Sequence, residues 1–214
     1  MKFEHTETYG WDGALRGARN PMDSWKRGDS GWKEIPFSDE KEFVIGPNDK
    51  DLALRLIKAG PEHAKFLRQI FASVDITAPR YWWIEQATYR FGVEVDSCST
   101  MHKIMAKPFT REDFEITGSD VWLDDVIGYL NGFRDRYLET SDKTDWYSVI
   151  DALPQSYLQK RTLTMSYAAI ANMCRQRKNH KLYQWHKFVE WAHTLPNAFL
   201  IFGEDGAADG RTDG

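Results

Sequence analysis

The segment SYAAIANMCRQRKNHKLYQW, from Ser166 to Trp185, joins the spacing of an amphipathic helix to a dense set of positive charges. Apolar residues such as Ile170 and Met173 recur at helical intervals, which predicts a helix from Tyr167 to Lys178. No acidic residue occurs anywhere between Asp151 and Glu190. The cationic and amide side chains of the segment are Asn172, Arg175, Arg177, Lys178, His180 and Lys181.

Two interpretations of this cationic helix end are open from the residues alone. Guanidinium and amide donors clustered in an acidic protein are typical of a local anion site, such as one for phosphate. Basic residues in a last helical turn also occur as a solvated end that complements the helix dipole. The motifs that precede the segment favour the first interpretation.

Composition predicts a globular protein with a large aromatic core. The 214 residues include nine Trp, nine Tyr and twelve Phe, enough apolar surface for one sizeable domain. No stretch approaches the roughly 20 apolar residues of a membrane span, and MKFEHTE at the start lacks the apolar core of a secretory signal. We therefore expect a cytoplasmic protein with no membrane partner.

Charge and cysteine usage exclude several classes of function. A net charge of −4 argues against bulk electrostatic binding of nucleic acid. The two cysteines, Cys98 and Cys174, form neither a disulfide framework nor a zinc set, so we expect free thiols. The six histidines never take metal-ligand spacing, and His180 and His186 are six residues apart. No metal is expected.

The periodic patterns predict an α/β (α+β) fold: a single domain over 1–203, with a central mixed or antiparallel sheet flanked by long helices. Residues 204–214, acidic and Gly-rich, are expected to be a disordered tail. The strands are predicted at Phe71–Thr77 and Tyr157–Thr164. The other helices are predicted at about Asp12–Gly17, from the capping residues 48–51 through Ala59, at Tyr81–Arg90, at Asp120–Tyr137 and at Leu182–Thr194. A Ser-rich loop is predicted at Gly92–Met101. Apart from the first helix, we expect little regular structure in the first forty residues.

Four sequence blocks then occur in a distinctive order. They are Gly60-Pro-Glu-His63 before the first strand, Ala78-Pro79 opening a helix that ends in Thr88-Tyr-Arg90, the polar loop Asp96-Ser-Cys-Ser-Thr-Met-His-Lys103, and Leu153-Pro154 followed by a strand and the helix with Asn172 and Arg177. This order resembles the flavin-dependent thymidylate synthases of the ThyX type. The spacing from Ala78 to Arg90, and from Pro154 through Asn172 to Arg177, equals that of the family motifs without gaps. The resemblance is clearest over 60–191.

The resemblance implies an enzyme that uses FAD to methylate dUMP to dTMP, with NADPH and methylenetetrahydrofolate as co-substrates, or to carry out a related C5 modification of a uridine nucleotide. It also implies a homotetramer. In this family the flavin carries the hydride, and the protein orients planar ligands and stabilises charge. By resemblance, Arg177 is the catalytic residue and stabilises negative charge that develops on the uracil ring.

The same resemblance assigns two sets of binding residues. Those that would contact the cofactor are His63, Tyr89, Arg90, Asn172 and His180. Those that would hold the nucleotide, together with Arg177, are Asp96, Ser97, Ser99, His102 and Lys103.

The chain also departs from the family pattern. Thr88-Tyr89-Arg90 occupies the place of the family triplet Arg-His-Arg, so only the last arginine is present. Cys98 replaces a serine of the polar loop, and Ser166 replaces the asparagine that opens the last motif helix. The missing first arginine favours an alternative: a non-catalytic protein of the same fold that binds a nucleotide or nucleic acid.

Overall fold

The computed structural model describes residues 1–39 and 41–204, and the predicted tail falls outside the described residues apart from Glu204. The strands are β1 (Lys2–Tyr9), β2 (Gly31–Glu34), β3 (Lys41–Val44), β4 (Phe71–Pro79), β5 (Val93–Ser97) and β6 (Leu158–Ser166). The helices are α1 (Trp11–Ala18), α2 (Pro47–Ala59), α3 (Arg80–Gln86), α4 (Thr100–Lys103), α5 (Leu123–Thr140), α6 (Lys143–Ala152), α7 (Tyr167–Arg177), α8 (Tyr183–His193) and α9 (Phe199–Phe202). Short 3-10 helices lie at Asn20–Met22, Trp25–Arg27, Lys65–Arg68 and Arg111–Asp113.

A four-stranded sheet in the order β1-β4-β6-β5 and a two-stranded hairpin of β2 and β3 make up the strand pairing of the described residues. The predicted strands correspond to β4 and β6, which are the two inner strands. In β4, alternate residues are buried, from Ala72 to Ala78, as expected when such a strand presents apolar residues at every second position. The predicted α/β class with an antiparallel sheet is confirmed.

The chain forms two compact units. The first consists of Met1–Lys2, Asp75–Thr88 and Asp96–Thr162. The second consists of Phe3–Val74, Tyr89–Val95 and the described part of the chain from Leu163 onward. In the first unit, α5 packs against α6, and Leu130 and Val149 are fully buried in their shared cluster. The 3.6-residue spacing of apolar residues along α5 explains this packing, since it places them on one face.

The core of the second unit is aromatic. The ring of Trp11 on α1 contacts Tyr167 edge-on with centroids 5.2 Å apart, and it stacks on Phe43 at 5.7 Å. On α8, Trp185 and Phe188 are fully buried and contact each other at 5.6 Å. Such rings bury large apolar areas, which accounts for the high aromatic content seen in the sequence.

Three predicted helices had wrong boundaries, and one predicted loop was wrong. Helix α5 spans Leu123–Thr140 instead of the predicted Asp120–Tyr137. The first forty residues, predicted to have little regular structure beyond α1, also contain β1, β2 and two 3-10 helices. Helix α2 begins at Pro47 instead of at the polar residues that follow, because proline fits the first helical position without losing a hydrogen bond. Helix α3 ends at Gln86, where the Thr88 hydroxyl donates to the Glu85 carbonyl at 2.7 Å. The segment Gly92–Met101 is not a loop, since it contains β5 and the first two residues of α4. No helix among the described residues is long and apolar enough to cross a membrane.

Candidate functional site

Arg177 is the last residue of α7, and in the second unit it is held by two aromatic rings. Its Nε donates to the hydroxyl of Tyr89 at 2.8 Å. The guanidinium carbon lies 5.0 Å from the ring centroid of Trp185 and 5.5 Å from that of Tyr89, within the range of cation–π attraction. Because Trp185 is fully buried, it provides a rigid surface for the guanidinium. The arginine side chain therefore has a defined orientation.

A chain of hydrogen bonds connects this arginine to Asn172. The Tyr89 hydroxyl donates to the side-chain oxygen Oε1 of Gln176 at 3.0 Å, and Nε2 of Gln176 donates to the side-chain oxygen Oδ1 of Asn172 at 3.0 Å. Arg175 donates to the same Asn172 oxygen at 2.7 Å. We refer to this set of side chains as the Arg177 cluster: Tyr89, Asn172, Arg175, Gln176, Arg177 and Trp185.

Local sequence positions the cluster. Ser166 caps the start of α7, since its hydroxyl accepts from the Ala169 amide at 3.2 Å. Gly92 lies beside this cap with φ of +71°, and its carbonyl accepts from the Ser166 amide at 2.8 Å. This contact fixes the segment that contains Tyr89 against the beginning of the helix whose end carries Arg177.

His180 contacts the edge of the cluster. Its ring meets Trp185 edge-on with centroids 6.3 Å apart, and its Nδ1 accepts from the Leu182 amide at 3.1 Å. A neutral His180 in this arrangement has its proton on Nε2. His63 and Arg90 are exposed, and within the part of the chain that the structure describes no side-chain hydrogen bond joins either of them to the cluster.

The residues assigned to the nucleotide lie in the first unit, at the end of β5 and around α4. Asp96 and Ser97 are exposed at the strand end. Ser99 caps α4: its hydroxyl accepts from the His102 amide at 3.2 Å and lies 2.7 Å from His102 Nδ1. Lys103 is exposed on the same short helix.

Two clefts flank this segment, with volumes of about 250 and 300 Å³. Both are lined by Ser99, Thr100 and Gln159, the first also by Lys103 and the second also by Arg80. Hydroxyl, amide and cationic donors around a small cleft suit a phosphate group. The predicted residues Ser99 and Lys103 line the first cleft, while Ser97 lines the second.

Strand β6 supplies cleft residues that sequence reasoning did not single out. Gln159 is oriented at both ends of its amide: Arg161 donates to its oxygen at 3.0 Å, and its own nitrogen donates to the Thr100 hydroxyl. Burial lowers the pKa of Arg161, whose guanidinium lies 4.5 Å from the Trp83 ring centroid. A run of three polar residues, 159–161, at the start of a strand is the signal that could have indicated a lining role.

The two cysteines differ in their surroundings. Burial raises the pKa of the Cys174 thiol to about 12, which keeps it protonated at neutral pH. Cys98 is exposed, and its backbone amide donates to the Lys160 carbonyl at 3.1 Å. Among residues 1–39 and 41–204, no group of three or more His, Cys, Asp or Glu side chains could hold a metal ion.

No protein-family model matches this chain, and no curated protein matches it. Among solved structures, the chain is similar to flavin-dependent thymidylate synthase from Helicobacter pylori complexed with FAD and dUMP, with a TM-score of 0.71 and 17% identity over 96% of this chain and 99% of that one. A second Helicobacter pylori structure with FAD and dUMP gives a TM-score of 0.71 and 17% identity over 97% and 99%. The fold implied by the motif resemblance is therefore confirmed.

Proposed function

We propose that this chain is a divergent flavin-dependent thymidylate synthase. The reaction would be the reductive methylation of dUMP to dTMP with NADPH and methylenetetrahydrofolate, or a closely related C5 modification of a uridine nucleotide. The observation that supports this most is the fixed position of Arg177 against Tyr89 and Trp185. The active form would be a homotetramer, as the family resemblance implies.

Arg177 has the properties that charge stabilisation on a pyrimidine ring requires. A guanidinium remains protonated at any physiological pH and presents paired donors in one plane. Its position against two rings means that little rearrangement is needed when an anion develops nearby, which is the condition for electrostatic catalysis. A lysine in the same place would offer a point charge without that planar orientation.

The Arg177 cluster also offers groups that fit a flavin. Tyr89 presents a hydroxyl beside the ring of Trp185, and Asn172 presents an amide that is linked to Tyr89 through Gln176. Such group types recognise the polar edge and the flat face of a heteroaromatic ring. Bound FAD would supply the hydride chemistry. In this proposal His63, Arg90 and His180 would add further contacts to the cofactor.

For the nucleotide phosphate and sugar we propose the segment Asp96–Lys103. Ser99 and Lys103 line a cleft of about 250 Å³ in the first unit. Lys107 at this cleft bonds Asp113 at 2.5 Å, and this hydrogen bond raises the Lys107 pKa, so its ammonium stays charged. Cationic and hydroxyl donors together would bind a phosphate monoester.

A second function, nucleotide binding without catalysis, is favoured by a different observation. Within the cluster, Arg177 Nε is engaged by Tyr89, and the Asn172 oxygen already accepts two hydrogen bonds. The first arginine of the family triplet is absent, because Thr88 stands in its place. A cluster satisfied internally in this way is expected of a binding protein that has lost the flavin.

The two functions are separated by one set of measurements on purified protein supplied with FAD. The enzyme is expected to become yellow, to oxidise NADPH, and to release dTMP or another C5-modified nucleotide when dUMP and methylenetetrahydrofolate are both supplied. A protein that stays colourless and forms no product, yet melts at higher temperature with dUMP, would support the binding function instead.

A further inference from the structure

A second cavity, in the second unit and outside the Arg177 cluster, is built around a buried ion pair. It has a volume of about 300 Å³, at the small end of the range for ligand pockets. Its walls come from α1, the 3-10 helix Trp25–Arg27, the turn that follows it, β3 and the start of α2. Arg19 and Asp49 line it, with 5% and 3% of their surfaces exposed.

The carboxylate of this ion pair is saturated. One Asp49 oxygen accepts from Arg19 Nε at 2.6 Å. The other accepts from the Asp29 amide at 3.0 Å and from the Ser30 amide and hydroxyl at 3.1 and 2.6 Å. Asp49 therefore has no need of a further donor.

The guanidinium of the ion pair, in contrast, has more donors than partners. Arg19 Nη1 reaches only the Ser24 carbonyl, at 3.4 Å, and Nη2 is buried without a hydrogen-bond partner in the described part of the chain. Buried polar groups are almost always hydrogen-bonded, because an unsatisfied donor costs free energy. The carboxylate of the ion pair therefore has its hydrogen-bond partners, whereas the Arg19 guanidinium has donors without acceptors. This arrangement points to an acceptor supplied by a ligand.

Gly28 keeps space open beside the ion pair. Its φ of −66° and ψ of 133° are accessible to any residue, so the backbone does not require glycine here. A Cβ at this position would lie 3.7 Å from Arg19 Nε, 3.8 Å from an Asp49 oxygen and 3.2 Å from the Trp25 carbonyl. The missing side chain therefore leaves room in the cavity directly beside the buried Arg19–Asp49 pair.

The remaining walls indicate a flat, uncharged ligand. Trp25 is half exposed, and its indole nitrogen donates to the Asn20 side chain at 2.8 Å, which fixes the ring. Two cations, Arg16 and Arg19, are balanced by two carboxylates, Asp12 and Asp49, so the cavity has no net formal charge. One Asp12 oxygen accepts from the Trp32 indole at 2.8 Å. Asp12 can therefore accept from a ligand N–H, while the Arg19 guanidinium donates to a carbonyl.

We propose that this cavity binds a small planar lactam, a ring with adjacent N–H and C=O groups, stacked on Trp25. The carbonyl would accept from Arg19 and the N–H would donate to Asp12. The carbonyl of such a ligand matches the unpartnered donors of Arg19, and its flat ring matches the indole of Trp25. Its neutral charge matches the balanced charges of the cavity.

The test uses the full chain with 2-pyridone as the probe and the tryptophan indole N–H resonances as the readout. A ligand of this size is expected to bind with a Kd of about 1 mM. The Trp25 resonance, identified with Trp25→Phe, should shift on titration, and the Trp185 resonance in the Arg177 cluster should not. The lactam site does not depend on the proposed enzyme function. A shift of Trp25 alone would therefore support the lactam site even if the protein proves to have no enzyme activity.

Ligand and protein variants complete the test. N-methyl-2-pyridone, which lacks the N–H, and benzoate, which is charged, should each bind at least about 10-fold more weakly. Gly28→Ala should weaken 2-pyridone binding similarly, whereas Gly31→Ala, where an added Cβ meets nothing within 4 Å, should not. Equal binding of all three ligands, tighter binding of benzoate, or no Trp25 shift with wild-type protein would overturn the proposal, even if Gly28→Ala does not fold.

Discussion

At the residue scale, Arg177 is a proposed motif position whose side chain also has a fixed geometry. The motif places an arginine five residues after Asn172, and the structure gives that arginine two aromatic contacts and a fixed Nε. Arg175, only two residues away, is exposed and bonds Asn172 instead. The two arginines therefore offer a matched comparison on one helix.

We expect Arg177→Ala to weaken dUMP binding or turnover by about 2–4 kcal/mol, typical of removing a charged donor at a developing anion. Arg177→Lys should recover only part of this loss, because an ammonium lacks the planar donors. Arg175→Ala is the control and should have a much smaller effect. Isothermal titration with dUMP measures binding, and the rate of NADPH oxidation measures turnover. If the two alanine variants behave alike, the helix end is only a basic surface.

Tyr89 is expected to act through Arg177 by holding its guanidinium. Tyr89→Phe keeps the ring and removes the hydroxyl that accepts from Arg177 and donates to Gln176. Nucleotide binding or turnover should fall by about 10-fold, the effect of one hydrogen bond to a charged group. Tyr129→Phe, at a ring 63% exposed on α5, is the control. Unchanged kinetics in Tyr89→Phe would show that the rings alone position Arg177.

At the element scale, replacing glycine by alanine should raise the free energy of unfolding at some positions and lower it at others. Gly128 and Gly132 lie inside α5, are exposed, and would place a Cβ in open space. Alanine there should raise the free energy of unfolding by about 0.5–1 kcal/mol each. Gly92→Ala should lower it, since φ is +71° and the Cβ would lie 2.5 Å from the Ser166 hydroxyl that caps α7. Urea denaturation gives all three values; a stabilised Gly92→Ala would contradict the role of this contact.

Elements with strong periodicity could be predicted from the sequence, and edge strands could not. Helices α5, α7 and α8 and strand β4 bury one face each, so their apolar residues recur at the expected intervals. Strand β1 has the sequence KFEHTETY and is mostly exposed, so it lacks the alternation that identifies a strand. Strand β5 has one buried residue followed by four exposed ones, so its sequence likewise lacks the alternation and predicts a loop.

The candidate site was predictable only in part. Tyr89 and Arg177 could be recognised as motif positions, but their hydrogen bond joins residues 88 positions apart, and no local pattern encodes it. The Arg19–Asp49 pair was missed because Asp49 was assigned to a helix cap, whereas its carboxylate faces a buried arginine. Long-range pairings of this kind depend on tertiary packing.

At the scale of the whole molecule, acid stability should depend on Asp49. Burial opposes its ionisation, but hydrogen bonds from Ser30, Asp29 and Arg19 outweigh burial and hold its pKa below 3.8. A depressed pKa in the folded state contributes stability that is present above the unfolded value of about 3.9 and is lost as pH falls through the folded value. Wild-type protein should therefore lose stability below about pH 4 through this group.

Asp49→Asn tests this expectation, since it removes the titration and keeps the shape. The variant should be less stable at pH 7, because it leaves Arg19 buried without its counter-ion, a change that costs about 3–5 kcal/mol. Between pH 5 and 3 its free energy of unfolding should fall less steeply than that of the wild type. Urea denaturation across this range provides the comparison, with Asp51→Asn, an exposed residue of the same helix, as the control. If the free energy of unfolding falls equally steeply in the wild type and in Asp49→Asn, Asp49 does not determine the acid stability.

The contrast between the two thiols makes the native chain suitable for site-directed spectroscopy without any substitution. A maleimide dye or nitroxide added to folded protein at neutral pH should attach at Cys98 alone, because the Cys174 thiol is enclosed and has a pKa of about 12. Cys98 lines both clefts of the first unit, so a label there would report directly on whatever enters them. A second equivalent of label should be incorporated only when urea opens the core around α7. The number of labels per chain, followed over time in urea, then measures how much of the protein has unfolded.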